Sequence, residues 1–152
     1  MPPPARVTIL YTQRDGTPRR VENALKPDVS LEFLVAGRVL FQSSGRWLHP
    51  LFDLERFLKE RSIDLRTAEI HDKVIGRGSA FLIVRLGIRR AHAAMLSRLG
   101  KDVLDRAGVA STWDELVDEI ECATEGLLRN VTDPEEAYRI LAERARQAAA
   151  PR

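Results

Sequence analysis

At 152 residues, with 44% hydrophobic and 30% charged side chains, the chain suits one ordinary domain and is too apolar for disorder. No apolar run reaches the roughly 18 residues that a spanning helix needs, so a membrane protein is excluded as a reading. The net charge of +2, from 24 basic and 22 acidic residues, gives no strong nucleic-acid signal, since Arg19-Arg20 and Arg89-Arg90 stand apart from Tyr11, Trp47 and Trp113.

In chain order, residues 1–28 carry five prolines and a turn signal at Asp15-Gly16 around a short β-like run, Val7 to Tyr11. They read as an N-terminal extension to a main domain over 29–150. LEFLV (31–35) and RVLFQ (38–42) are rich in β-formers and are parted by Ala36-Gly37, which predicts a β-hairpin. In HPLFDLERFLKER, Leu51, Leu54, Phe57 and Leu58 fall on one side at helical spacing while Glu55, Lys59 and Glu60 fall elsewhere, as in an amphipathic helix on a sheet. A strand at TAEIH (67–71) follows. SAFLIVRL (79–86) is apolar nearly all round and so predicts a helix buried in the middle of the domain, stopping at Gly87. RAHAAM (90–95) suits a buried strand, and Leu96, Leu99, Val103 and Ala107 make a helical stripe ending at Gly108. Thr112 and Glu115 form a capping-box pattern and predict another helix start. Asp133-Pro134-Glu135-Glu136 predicts a terminal helix running to about Ala149. Alternation of helix and strand after the hairpin predicts a three-layer α/β/α architecture with a central mixed sheet.

The chemistry-bearing residues are few. Gly76-Arg77-Gly78, after a strand and before a helix, offers a flexible turn, a helix amino terminus and two cations, Lys73 and Arg77. The dinucleotide fingerprint fails because Phe81 stands where its third glycine belongs, and no Gly-Lys-Ser or Gly-Lys-Thr makes a phosphate loop. The turn is equally readable as glycines supplying positive φ and close packing. Three histidines, His49, His71 and His92, lie on separate elements without ligand spacing, so no metal is expected. His71 and Asp72 adjoin at the strand end. The single cysteine, Cys122, excludes an internal disulfide and fits a reducing, cytoplasmic setting, as does an amino terminus without the pattern of a secretory signal. Cys122 reads either as a structural residue or as a nucleophile, with Lys73 lowering its pKa and Asp72 or Glu125 moving protons.

The run from LEFLVAGRVLFQS through HDKVIGRGSA and GVAST to ECATE and TDPEEAYRIL resembles a family known as domain of unknown function eighteen ninety-three, over about residues 29–142. Asp72-Lys73-Val74-Ile75-Gly76, Cys122 with Glu125, and Asp133-Pro134-Glu135-Glu136 carry the likeness. Ala123 departs from the Cys-Pro-x-Glu that the family usually shows. The resemblance implies a cytidine-deaminase-like fold. In zinc deaminases of that fold, ligands gather at two helix starts. The corresponding segments here are Trp47-Leu48-His49-Pro50 and Val74-Ile75-Gly76-Arg77-Gly78, which lack the zinc motifs. Zinc-dependent deamination and a resident cofactor are therefore not expected. The helix amino terminus beside Lys73 and Arg77 predicts instead a protein that binds a nucleotide-like or phosphorylated small molecule through Lys73, Gly76, Arg77, Gly78 and Ser79. The alternatives are an enzyme with a Cys122 nucleophile and a homo-oligomeric interaction module docking through the terminal helix.

Overall fold

The computed structural model describes residues 9–12, 18–21, 25–120 and 123–149. Strands β1 (Ile9–Thr12) and β2 (Pro18–Val21) pair antiparallel as a separate two-stranded sheet. The main sheet begins with β3 (Leu31–Val35) and β4 (Arg38–Ser43), joined by Ala36 and Gly37 at φ of 51° and 80°. Two positive φ angles in a two-residue loop match the twist of the flanking strands, so the loop closes the hairpin without splaying it. The strand register shifts between Phe33 and Leu34, placing a bulge in the edge pair.

Three crossover units follow: α1 (His49–Lys59) to β5 (Ala68–Ile75), α2 (Arg77–Leu86) to β6 (Arg90–Ser97), and α3 (Arg98–Arg106) to β7 (Ala110–Val117). The sheet is mixed, in the order β4-β3-β5-β6-β7, with β3 antiparallel to both β4 and β5 and the last two pairings parallel. A short α4 (Ala123–Leu127) and a terminal α5 (Pro134–Ala149) complete the chain. The α/β class and the mixed central sheet agree with the expectation from sequence.

The apolar helix of the sequence is α2. It touches α1, α3, α4 and α5, and its residues from Arg77 to Ile83 are buried. Phe81, Ile83, Phe33, Ile70, Leu104 and Leu141 pack together in the core between sheet and helices. The helix ends at Gly87, in the left-handed region at φ 83°, where its N–H reaches the carbonyls of Ile83 and Val84 and closes the last turn. Ser97 caps α3 by accepting the Gly100 N–H at 2.9 Å.

Two expectations need correction. Thr112 and Glu115 belong to β7 and not to a helix start: Ala110 to Val117 pair in parallel with Arg90 to Ser97, and sheet pairing overrides a local capping pattern. Glu55, expected on the wet side of α1, is buried. Burial pushes its carboxyl up, but hydrogen bonds from Lys59 and Tyr138 and the charge of Arg85 outweigh that, and the net shift is downward. Arg85 ties Glu55 to Glu135 while lying 3.5 Å over the Tyr138 ring, so α1, α2 and α5 meet in one polar knot.

The tightest approach of two helices lies at their starts. A Cβ on Gly100 would stand 2.8 Å from both C and O of Gly76, which is backbone that cannot swing aside. Gly100→Ala is expected to destabilise the fold by about 2–3 kcal/mol and to lower the melting temperature by roughly 5–10 °C. Gly126→Ala, where a Cβ meets nothing within 4 Å, should leave the melting curve unchanged.

Candidate functional site

Sheet order brings the carboxyl end of β5 to the start of α2, with Leu48 before α1 and with Ile120, Thr124 and Glu125 beside it. The centre of this end is a carboxylate from elsewhere in the chain. Glu125, 2% exposed, accepts the Arg77 N–H at 2.5 Å through one oxygen and the Ile120 N–H at 2.9 Å through the other. A helix amino terminus presents unpaired N–H groups and a partial positive charge, and Glu125 answers both.

This explains the glycines of the turn. Gly76 has extended backbone, φ −100° and ψ −167°, so positive φ is not its reason. Among the described glycines that conformation belongs to Gly37, Gly87 and Gly108. Gly76 is needed because a Cβ would lie 2.9 Å from Glu125 Oε1. Gly78 is needed because a Cβ would lie 3.1 Å from both Leu48 Cδ1 and Thr124 Cγ2. Close packing alone fixes the Gly-Arg-Gly spacing. Ser79 is buried behind them.

Arg77 turns its side chain into the fold. Its guanidinium, 4% exposed as a residue, donates to the carbonyls of Leu128 at 2.7 Å, Leu99 at 3.0 Å and Val131 at 2.6 Å, with Asp102 at 3.5 Å. A planar five-donor fork suits several carbonyls at once. The same residue also walls a groove of about 220 Å³ with Phe81, Asp102 and Arg106, and a second groove of about 330 Å³ lies among Leu58, Ile63, Leu65 and Arg85. Lys73 is the other cation named from sequence; it is half-buried and its ammonium donates to the Pro27 carbonyl.

Asp72 is half-buried and is aligned with Leu31 and Ala93, both buried. Loss of water pushes its carboxyl up to about 7, against the smaller opposite pull of the Val74 and Lys73 N–H groups. His71, its chain neighbour, is on the other face of the strand, because successive strand residues alternate. The two therefore do not form an acid and imidazole pair.

Trp47, placed by sequence only in the segment before α1, has a role that the sequence did not suggest. It has φ 55°, costly for so bulky a residue, and is held there by its Nε1 donating to Thr124 Oγ1 at 3.0 Å, 77 positions away, and by an edge contact with His49 at 5.4 Å. The brace links the start of α1 to α4 over Gly78 and leaves the indole 38% exposed.

Zinc, implied by the deaminase-like resemblance, does not fit the residues at these helix starts. His49 leans on Trp47, the start of α2 offers no ligand, and Glu125 is engaged by N–H groups. Among the described residues no group of three or more His, Cys, Asp or Glu is arranged to hold a metal ion. Cys122 lies outside the described residues.

Two substitutions test the roles of the pair. Arg77→Lys should cost about 3 kcal/mol or more, because three ammonium donors cannot serve four acceptors spread over a plane. Glu125→Gln, which keeps size but turns an NH2 toward one N–H group, should cost about 1–3 kcal/mol. Urea unfolding at neutral pH reads both.

Asp72 generates a pH test. A carboxyl whose pKa is raised on folding binds more protons folded than unfolded between about pH 4 and 7, so its presence lowers stability as pH rises through that window. Asp72→Asn, which mimics the protonated form, should leave stability near pH 4 little changed and raise it at pH 8 by a few kcal/mol. Unfolding curves at the two pH values check the sign.

Comparisons with known proteins bear on the family and the fold. The family described as TM1506, a domain of unknown function (DUF1893), matches residues 20–145, a span from the second half of β2 through most of α5. A DUF1893 family protein (TM1506) from Thermotoga maritima, solved at 2.70 Å, superposes with a TM-score of 0.68 at 25% identity, covering 77% of this chain and 81% of its own. A dCMP deaminase from the cyanophage S-TIM5, in apo form, superposes with a TM-score of 0.46 at 17% identity over 56% of this chain and 79% of its own. No curated protein sequence matches. With its family profile matched over most of its length and its fold shared with a solved member, the chain belongs to the DUF1893 family.

Proposed function

We propose that this chain is a binding domain for a small nucleotide-like or phosphorylated molecule, received at the carboxyl end of β5 without zinc chemistry. The observation that carries the reading is Asp72, a carboxyl held near neutrality by loss of water, three residues before the carboxyl end of β5 in a parallel strand pair, the end at which ligands of open α/β sheets gather. A carboxyl of that kind donates or accepts a hydrogen bond according to the ligand's edge. Trp47 supplies an exposed ring on which a planar base stacks, and the Gly76 to Ser79 backbone forms the wall, whereas Lys73, like His71, alternates to the face of β5 opposite Asp72 and its ammonium is engaged by the Pro27 carbonyl. Arg77 contributes through its place in that wall, since its charge is engaged within the fold.

The other readings have less support. Glu125 is poorly placed to move protons for a Cys122 thiol, because both its oxygens already accept backbone N–H groups. The terminal helix lies against α2 with Ala137 and Leu141 fully buried, so its apolar stripe serves the core before any partner.

Calorimetric titration with nucleoside phosphates and sugar phosphates tests the proposal. One of them should bind, with affinity reduced about tenfold by Trp47→Ala, since stacking of a base on an aromatic ring contributes about 1–3 kcal/mol. Asp72→Asn should flatten the dependence of that affinity on pH between 6 and 8 in about the range where the wild-type carboxyl titrates. Absence of binding across the panel would remove the reading.

A further inference from the structure

The first turn of α2 is only partly satisfied. The N–H groups of Arg77, Gly78 and Ser79 have no partner within the helix, and Gly76 has no side chain with which to cap them. Helical bonding begins one residue later, where the Ala80 N–H reaches the Gly76 carbonyl at 3.0 Å. Glu125 takes the Arg77 N–H. Among the described residues nothing accepts the N–H of Gly78 or of Ser79. The other long helices are better provided. Ser97 and Asp133 cap α3 and α5, while in α1 the His49 N–H goes to the Arg46 carbonyl and Pro50 has no N–H to place.

A side chain points the same way. Ser79 is 6% exposed, and its hydroxyl makes no hydrogen bond among the described residues. A helical serine commonly donates to the carbonyl four residues back, yet here the Ile75 carbonyl is not engaged by it. A hydroxyl buried without a partner is costly. Ser79 shares a side of α2 with Ile83, four residues on, which packs in the core, and helical side chains lean toward the amino terminus. The hydroxyl is thereby directed to the carboxyl end of β5, where the two free N–H groups also point. Three donors at one place suit an acceptor.

The surroundings decide the charge of that acceptor. Glu125, 2% exposed, brings a carboxylate to this helix start and already offsets the partial positive charge of its amino terminus. Arg77 is turned into the carbonyls of Leu99, Leu128 and Val131, and Lys73 donates to the Pro27 carbonyl. A phosphate brought to Gly78 and Ser79 would therefore face the Glu125 carboxylate with both of these cations engaged elsewhere, and like charges repel strongly where water is excluded. An uncharged oxygen meets the same donors without that repulsion.

Resting on the ligand reading above, we propose that the Ser79 hydroxyl and the N–H groups of Gly78 and Ser79 form a subsite for an uncharged carbonyl oxygen, the lactam oxygen of a planar ring, and that any phosphate of the same ligand lies outside it. The start of α2 thus selects a ring by its oxygen, and the buried carboxylate that caps the helix is what turns the phosphate away.

Amide NMR of the full chain at neutral pH, with three probes added separately, tests the subsite. Inosine carries a ring carbonyl, adenosine carries an amino group in its place, and inorganic phosphate has no ring. Inosine should move the Gly78 and Ser79 amide signals, and phosphate should leave both where they are. By calorimetry inosine should bind about tenfold tighter than adenosine, and Ser79→Ala should weaken inosine about tenfold, the loss of one hydrogen bond, while changing adenosine less than twofold. Should Ser79→Ala fail to fold, the wild-type amide shifts and the ratio of the two nucleosides decide alone. Phosphate that moves the two amides, inosine that leaves them still or binds no tighter than adenosine, or an inosine affinity indifferent to Ser79→Ala would overturn the subsite and leave the ligand reading standing. Failure of every nucleoside phosphate and sugar phosphate to bind removes both.

Discussion

One carboxylate and one guanidinium, arriving from opposite directions, hold the functional end of this molecule together. Glu125 reaches from α4 to the backbone N–H at the start of α2, and Arg77, the residue that owns that N–H, reaches back to the carbonyls of Leu128 and Val131 beyond α4. The segment from 118 to 131 has little regular structure of its own among the described residues, and its described helix spans only Ala123–Leu127. So short a helix has no independent stability. It keeps its place because both charged ends of the lock are satisfied by backbone groups that would otherwise be unpaired on burial. Leu128, fully buried, then closes the apolar side of the same segment.

The lock also dictates how closely α2 and α3 pack. With Glu125 pressed on Gly76 from one side and Gly100 pressed on the Gly76 carbonyl from the other, there is room for no side chain at either glycine. Backbone contact of this kind transmits position faithfully, since packed interiors do not compress. Trp47 adds a third tie by spanning from the start of α1 to Thr124, and it accepts an unfavourable backbone conformation to do so. The strand-end mouth is consequently framed by three helix starts and one short helix, all fixed by polar contacts over a buried apolar base.

Where the sequence was legible, local physics and tertiary demand coincided. The Ala36-Gly37 turn, the all-round apolar run of α2 and the Asp133-Pro134 start of α5 each satisfy a local rule, and the fold has no reason to overrule it. Asp133 does accept the Glu135 N–H at 3.2 Å, as a capping acid should. Where the reading failed, partners distant in sequence had decided the outcome. Thr112 and Glu115 look like a helix start until β6 offers them a parallel neighbour, and Arg77 looks like a solvent cation until three carbonyls 22 to 54 positions away surround it. The candidate site suffered most, because Asp72 and Lys73 could be named but Trp47, Thr124 and the purpose of Glu125 depend on contacts that no spacing encodes.

Two faces of β5 carry a carboxyl and an imidazole in different surroundings. Asp72, on the face of the core residue Ile70, prefers its proton and costs stability as pH rises from about 4 to 7. His71 faces the other way beside His92, which burial holds below the usual histidine range. Strand alternation, which set adjacent residues on opposite faces, is what allows one eight-residue strand to hold both without direct neutralisation. A ligand that engages the Asp72 carboxyl and holds it in one protonation state would shift the pH range, about 4 to 7, over which that carboxyl costs stability.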